Sequence, residues 1–135
     1  MDKRLWQSMG LWCMVCVVAL VACTVARKPL KVVERDTGSM LELRVGDKFD
    51  VVLDANPTTG YQWELAGEVR VVQQVGEPEF VPDSNALGAG GKMTIHFQAV
   101  AAGEEWLRLV YHRSWEQRVA PAKTFELYIL VKEAK

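Results

Sequence analysis

The chain has 135 residues, half of them apolar and about a quarter charged, with a formal net charge of −1. That length calls for one globular domain, and the near balance of charge excludes a nucleic-acid-binding stripe and an acidic tail. Residues 1–22 differ from the rest. Lys3 and Arg4 form a positive start, and Leu11 to Ala22 is an unbroken apolar run of 12 residues. Such a run is short for a bilayer span and suits the core of a secretory signal peptide. Cys13 and Cys16 lie inside it, without His or Cys partners, so their C-x-x-C spacing reads as signal-peptide filler.

The run ends in Leu20-Val21-Ala22-Cys23, small residues before a cysteine, which resembles the bacterial lipobox. The resemblance implies cleavage before Cys23, acylation of its thiol and a firm membrane anchor, since several acyl chains hold far better than one. Thr24 stands where Asp often retains a lipoprotein in the inner membrane, so the expected place is the bacterial envelope, at the outer membrane facing the periplasm. Loss of residues 1–22 removes Asp2, Lys3 and Arg4 and leaves 14 basic and 16 acidic residues, a net of −2. The remaining chain then has Cys23 alone and no disulfide, so core burial must stabilise it.

Residues 23–40 read as the lipidated Cys and a tether, with Leu30 to Glu34 able to add an edge strand. The domain proper is expected over residues 41–135. Leu41 to Val45 alternates apolar and polar, and Gly46-Asp47 turns the chain. Phe49, Val51 and Leu53 share one strand face; Tyr61, Trp63 and Leu65 share another. Val69 to Val75 is rich in β-formers. An irregular crossing then runs from Pro78 to Gly91. Met93, Ile95, Phe97 and Ala99 alternate with Thr94, His96 and Gln98. Trp106 to Tyr111 is apolar on both sides, as in a central strand, and Phe125, Leu127, Ile129 and Val131 face one way in the last strand.

About seven to eight strands separated by turn signals predict an all-β, immunoglobulin-like β-sandwich without a disulfide, with Trp63 in the place of the buried Trp of such folds. If the seven strands from Leu41 run antiparallel, every second connection lies at one end. Those connections, B–C, D–E and F–G in immunoglobulin lettering, span residues 56–60, 82–91 and 112–122.

The first connection reads Asn56-Pro57-Thr58-Thr59-Gly60-Tyr61. The second ends Gly88-Ala89-Gly90-Gly91. The third opens Tyr111-His112-Arg113-Ser114-Trp115-Glu116. In this order and spacing they resemble the chagasin-like inhibitors of cysteine peptidases, whose pattern is NPTTG, GxGG and RPW or RPF. The resemblance covers roughly residues 40–133; Ser114 departs from it where the family usually has Pro. It implies reversible, non-covalent inhibition of papain-like cysteine proteases, with the three loops filling the active-site cleft. The first loop would enter at the catalytic Cys and His, the second along the non-primed side and the third over the primed side.

The residue types suit that task. Asn56 and Thr58 can bond to nearby backbone, Pro57 fixes a backbone angle and extends Asn56, and Gly60 permits a positive φ, so the turn is stiff before binding. Thr58 and Thr59 are small enough for a narrow slot, with hydroxyls able to replace bonds to water. Gly88, Gly90 and Gly91, beside Ala89, allow close backbone approach. Trp115 is a residue type enriched in binding hot spots, and Arg113 can stack on an aromatic ring or bridge to a carboxylate.

His96 falls on the polar side of a strand, apart from any carboxylate cluster. His112 adjoins the third motif. Neither has metal-ligand spacing, and no nucleophilic triad is legible, so no enzyme, metal or cofactor is expected. The expected partners are papain-like cysteine proteases and, through Cys23, the membrane, with no nucleic acid and a monomeric state. The alternative is an immunoglobulin-like envelope module that uses the same loops on another protein or a glycan.

Overall fold

A computed structural model describes residues 27–135. Two sheets pack face to face. In chain order the strands are β1 (Leu30–Val33), β2 (Met40–Arg44), β3 (Lys48–Ala55), β4 (Gln62–Leu65), β5 (Val72–Gln74), β6 (Glu79–Pro82), β7 (Gly91–Ala99), β8 (Gly103–His112) and β9 (Lys123–Lys132). The first sheet runs β1-β3-β7-β5, with β6 also paired to β7; the second runs β2-β9-β8-β4. β1 joins β3, and β2 joins β9, in parallel, while the other pairings are antiparallel.

The alternation read from the sequence is the alternation that packs. Phe49, Val51 and Leu53 of β3, Ile95, Phe97 and Ala99 of β7, Leu107 and Leu109 of β8, and Phe125, Leu127, Ile129 and Val131 of β9 are buried between the sheets. Each fully buried side chain of this kind contributes about 1.5–3 kcal/mol by leaving water. Phe49 and Phe97 face each other in register and stack at 5.3 Å. Residues 27–135 contain no cysteine. The sheets are instead tied by Trp63, buried as expected, whose indole N–H donates to the Asp54 carbonyl of the opposite sheet at 3.0 Å.

Three readings need correction. The described residues form nine strands, close to the seven or eight expected, so the corrections concern particular segments. The stretch Val69 to Val75 contributes only the short β5, because the amides of Arg70 and Val71 bond to the Glu105 carboxylate at 2.6 and 2.7 Å rather than to a strand. Within the supposedly irregular crossing, Glu79–Pro82 forms β6 and pairs with β7, so the second connection is a hairpin tip. The central strand β8 is apolar on one face only: Trp106 is half exposed, packs edge-on against Tyr128, and neighbours the Arg108–Glu126 ion pair. A strand can be central by hydrogen bonding while its outer face meets water.

The expected edge strand is β1, ending at Val33 because a 3-10 turn at Glu34–Asp36 follows, with Asp36 accepting from the Val33 amide at 2.9 Å. Residues from Leu30 onward therefore belong to the sandwich. The reading of residues 1–22 and of Cys23 lies outside the described residues.

Candidate functional site

Register alone puts the three motifs at one end. Ala55 pairs with Gly91, Pro82 with Gly91, Gln62 with His112, and Tyr111 with Lys123. The connections 56–61, 83–90 and 113–122 therefore leave the sandwich at the same pole.

The first loop is a capped 3-10 turn, Pro57–Thr59. Asn56 is extended (φ −141°) ahead of the proline, its side chain accepts from the Thr58 amide at 3.2 Å, and Gly60 closes the turn at φ +79°. The Thr58 hydroxyl donates to Asn56 Oδ1, and the Thr59 hydroxyl to the Asn56 carbonyl at 2.6 Å. Both hydroxyl protons are thus engaged inside the turn. They stiffen it, and the acceptor lone pairs of the two hydroxyls remain for a partner. Asn56, Pro57, Thr58 and Thr59 stand at the tip, and the two threonines are exposed.

Beneath the tip lies an aromatic ladder. Tyr61 stacks on Tyr111 at 5.2 Å, Tyr111 meets Trp63 at a tilt with ring centres 5.0 Å apart, and the Tyr111 hydroxyl accepts from the Asn56 amide at 2.8 Å. Tyr111 therefore anchors the first loop from the neighbouring strand. The sequence signal for this role was its place at the head of the third motif.

The second loop meets the first through Asn56, whose Nδ2 donates to the Gly88 carbonyl at 3.0 Å. Gly88 has φ +75°, and a Cβ there would lie 3.9 Å from Thr58 Oγ1. Gly90 accepts from the Asp83 amide at 2.9 Å, and Ala89 closes a turn on Ala86 at 3.1 Å. Gly91 has a different role from the one expected. It is the buried first residue of β7, and a Cβ would sit 2.1 Å from the Val81 carbonyl, so glycine is required for β6 to pair there. The presented strip is Gly88, Ala89 and Gly90. Next to it Leu87, which the sequence reading did not single out, is fully exposed. Its signal was an apolar side chain inside a run of Asp, Ser, Asn and Gly.

The third loop joins the first through Arg113. Its Nε donates to the Thr59 carbonyl at 3.0 Å, its guanidinium lies 4.4 Å over the Tyr61 ring, and its Nη1 pairs with Glu116 at 3.1 Å. Both expected uses, stacking and bridging to a carboxylate, are present, yet they serve the protein's own loops. Trp115 lies over Gly60, so close that a Cβ on Gly60 would be 2.2 Å from the indole, while the side chain remains 65% exposed. One face of the indole is held and the other meets solvent. Ser114 is exposed within the turn.

The histidines differ from expectation. His96 Nδ1 is 2.7 Å from Asp50 Oδ1 and its Nε2 3.9 Å from Glu79, on the outside of the first sheet; His112 Nε2 is 2.7 Å from Glu64 Oε2. Cross-strand register brought in carboxylates that are distant in sequence. Among the described residues no group of three or more His, Cys, Asp or Glu is placed to share a metal ion. Below the loops, Asp54 and Lys92 pair across β3 and β7. The bond to Lys92 holds the Asp54 carboxyl below the usual aspartate value, and Asp54 raises the Lys92 ammonium above its own.

With this geometry in view, the relatives are informative. The family described as chagasin family peptidase inhibitor I42 matches residues 42–129. Chagasin of Trypanosoma cruzi is 33% identical over 104 residues, 73% of this chain and 94% of chagasin. Amoebiasin-1 of Entamoeba histolytica is 30% identical over 106 residues, 76% of this chain and all of that protein. In three dimensions the cysteine protease inhibitor EhICP2 of Entamoeba histolytica matches with a TM-score of 0.67 at 19% identity, over 76% of this chain and 95% of that one, a likeness of fold. The chain belongs to the chagasin family of peptidase inhibitors. It is a family of inhibitors with an immunoglobulin-like fold, not of enzymes.

Proposed function

We propose that the chain is a reversible inhibitor of papain-like cysteine proteases that fills the active-site cleft with its three co-polar loops. The observation that carries this reading is the cross-loop lattice: Asn56 to Gly88, Arg113 to Thr59, and Trp115 over Gly60 join the motifs into one ridge. A ridge stiffened before contact loses little conformational freedom on binding. Its centre is a tight turn, and no extended strand is offered to a nucleophilic thiol. In this proposal Thr58 and Thr59 enter at the catalytic Cys and His of the enzyme. Gly88, Ala89 and Gly90 run along the non-primed side, and Trp115 covers the primed side. Asn56, Pro57, Gly60, Tyr61 and Arg113 hold the ridge in shape.

The proposal extends to a membrane anchor: a signal peptide over residues 1–22, acylated Cys23, and a domain displayed in the periplasm from the outer membrane. The fold suits it. Arg27 lies 3.8 Å from Asp47, in the turn between β2 and β3, at the pole opposite the loops. A tether leaving there keeps the ridge clear of a lipid surface. Mass spectrometry of the processed N-terminus tests the anchor; an unmodified Cys23 ends that part.

Titration of the purified protein against papain tests the inhibitory reading. Stoichiometric, reversible loss of peptidase activity at nanomolar to micromolar inhibitor is expected. A folded protein without effect at high excess would refute it and favour a module that binds other partners.

A further inference from the structure

We infer that Glu116 is a positioning residue that supplies, by an ion pair, the stiffness that proline gives the third loop in the family's usual pattern. The inference rests on the inhibitory reading above. Residues 113–116 form a turn closed by the Glu116 amide on the Arg113 carbonyl at 3.0 Å. Ser114 occupies its second position, where proline is favoured because its ring fixes φ. Neither Ser114 nor Trp115 has a positive φ. Serine satisfies the turn but leaves its backbone freer in the unbound state.

This chain closes the same turn a second time. The Arg113 and Glu116 side chains, about two-thirds covered, meet at 3.1 Å. The pair fixes a guanidinium that has two other tasks: its Nε holds the Thr59 carbonyl at 3.0 Å, and its plane lies over Tyr61, 6.0 Å from the Trp115 ring. Trp115 keeps 65% of its surface exposed, so few contacts other than Gly60 and Arg113 hold it. Glu116 therefore acts on the indole and on the Thr-Thr tip through Arg113. Partly exposed ion pairs contribute little to global stability, so its effect falls on loop order and binding, not on melting.

The test is a cycle in the full-length chain purified in detergent: wild type, E116A, S114P and the double variant, each titrated against papain. E116A is expected to raise the inhibition constant roughly tenfold, about 1.4 kcal/mol, with little change in melting temperature. S114P is expected to recover most of that loss in the E116A background, and to help there more than in wild type. E116A within about twofold of wild type, or S114P shifting both backgrounds by the same factor, overturns the inference. Hydrogen exchange at the Glu116 and Thr59 amides gives a readout without protease. Faster exchange in E116A, slowed again at Glu116 by S114P, supports the positioning role even where wild type fails to inhibit papain, an outcome that would sink only the inhibitory reading. Unchanged exchange removes the positioning role.

Discussion

The two poles of the sandwich are closed by different kinds of connection. At the pole near Arg27, β2 passes to β3 and β7 to β8 through short turns. There Gly46 bonds to Ala99 at 2.8 Å and Ala99 to Asp47 at 2.9 Å, backbone to backbone. The third connection, residues 66–71, is held by the Glu105 carboxylate and makes no side-chain hydrogen bond to either turn among the described residues. At the other pole the connections 56–61, 83–90 and 113–122 are longer, and side chains hold them to one another. That pole also leaves Leu87, Trp115 and Val119 facing water. Longer loops with internal polar bonds and an apolar rim cost stability unless they meet something, which is why binding surfaces are commonly built this way on a rigid scaffold.

The comparison breaks most sharply at Gly60. Gly60→Val places a branched side chain at φ +79° and drives its Cβ into the Trp115 indole. Strain at such a position is of order 1–3 kcal/mol, so papain inhibition should weaken on the order of a hundredfold. Gly46→Val, also at a positive φ but with open space around a Cβ, should lower the melting temperature yet leave inhibition near wild type. Equal losses of inhibition in the two variants would remove the distinction between the poles.

Next in size is Trp115→Ala. Removal of a central interface aromatic costs on the order of 2 kcal/mol, roughly a thirtyfold weakening carried mainly by faster dissociation. Surface plasmon resonance would show it, and an unchanged off-rate removes Trp115 from the contact. Thr58→Phe should weaken inhibition roughly tenfold by filling the slot its exposed side chain is to enter, with melting nearly unchanged. A collapse of melting temperature would make the tip a structural turn and nothing more.

The smallest effect concerns acid. Lys92 holds the Asp54 carboxyl below its unfolded value of about 3.9. A carboxyl depressed in the folded state stabilises the fold above that value, and the contribution is lost as pH falls through the folded value. Asp54→Asn should therefore destabilise the domain slightly at neutral pH, with the gap to wild type closing below about pH 4. A gap that persists to lower pH would mean that the charge pair is not its cause.

Much of the fold was legible because burial follows a period of two. Phe49, Val51 and Leu53 identify their face from sequence alone, and a sheet one face deep leaves no other choice. The pole shared by the three motifs followed from counting antiparallel strands. Features that depend on register between distant segments were not legible. The strand Glu79–Pro82 has two prolines nearby and forms because β7 presents an open edge and Gly91 lets it approach. The carboxylates beside His96 and His112 come from strands 46 and 48 residues away in sequence. From its type Arg113 reads as a contact residue, but its donors point inward because Thr59 and Glu116 lie within reach. Leu87 gives only a weak signal in the sequence, since one apolar residue in a polar loop carries no period.

A hydrogen-exchange footprint of the protein mixed with papain tests the central claim most directly. Protection should concentrate in residues 56–61, 86–90 and 113–116, with the turn at residues 45–47 and the outer faces of both sheets exchanging as in the free protein. A stable inhibitory complex that protects the opposite pole or a sheet face, and leaves the Thr58-Thr59 turn exchanging freely, would contradict the account.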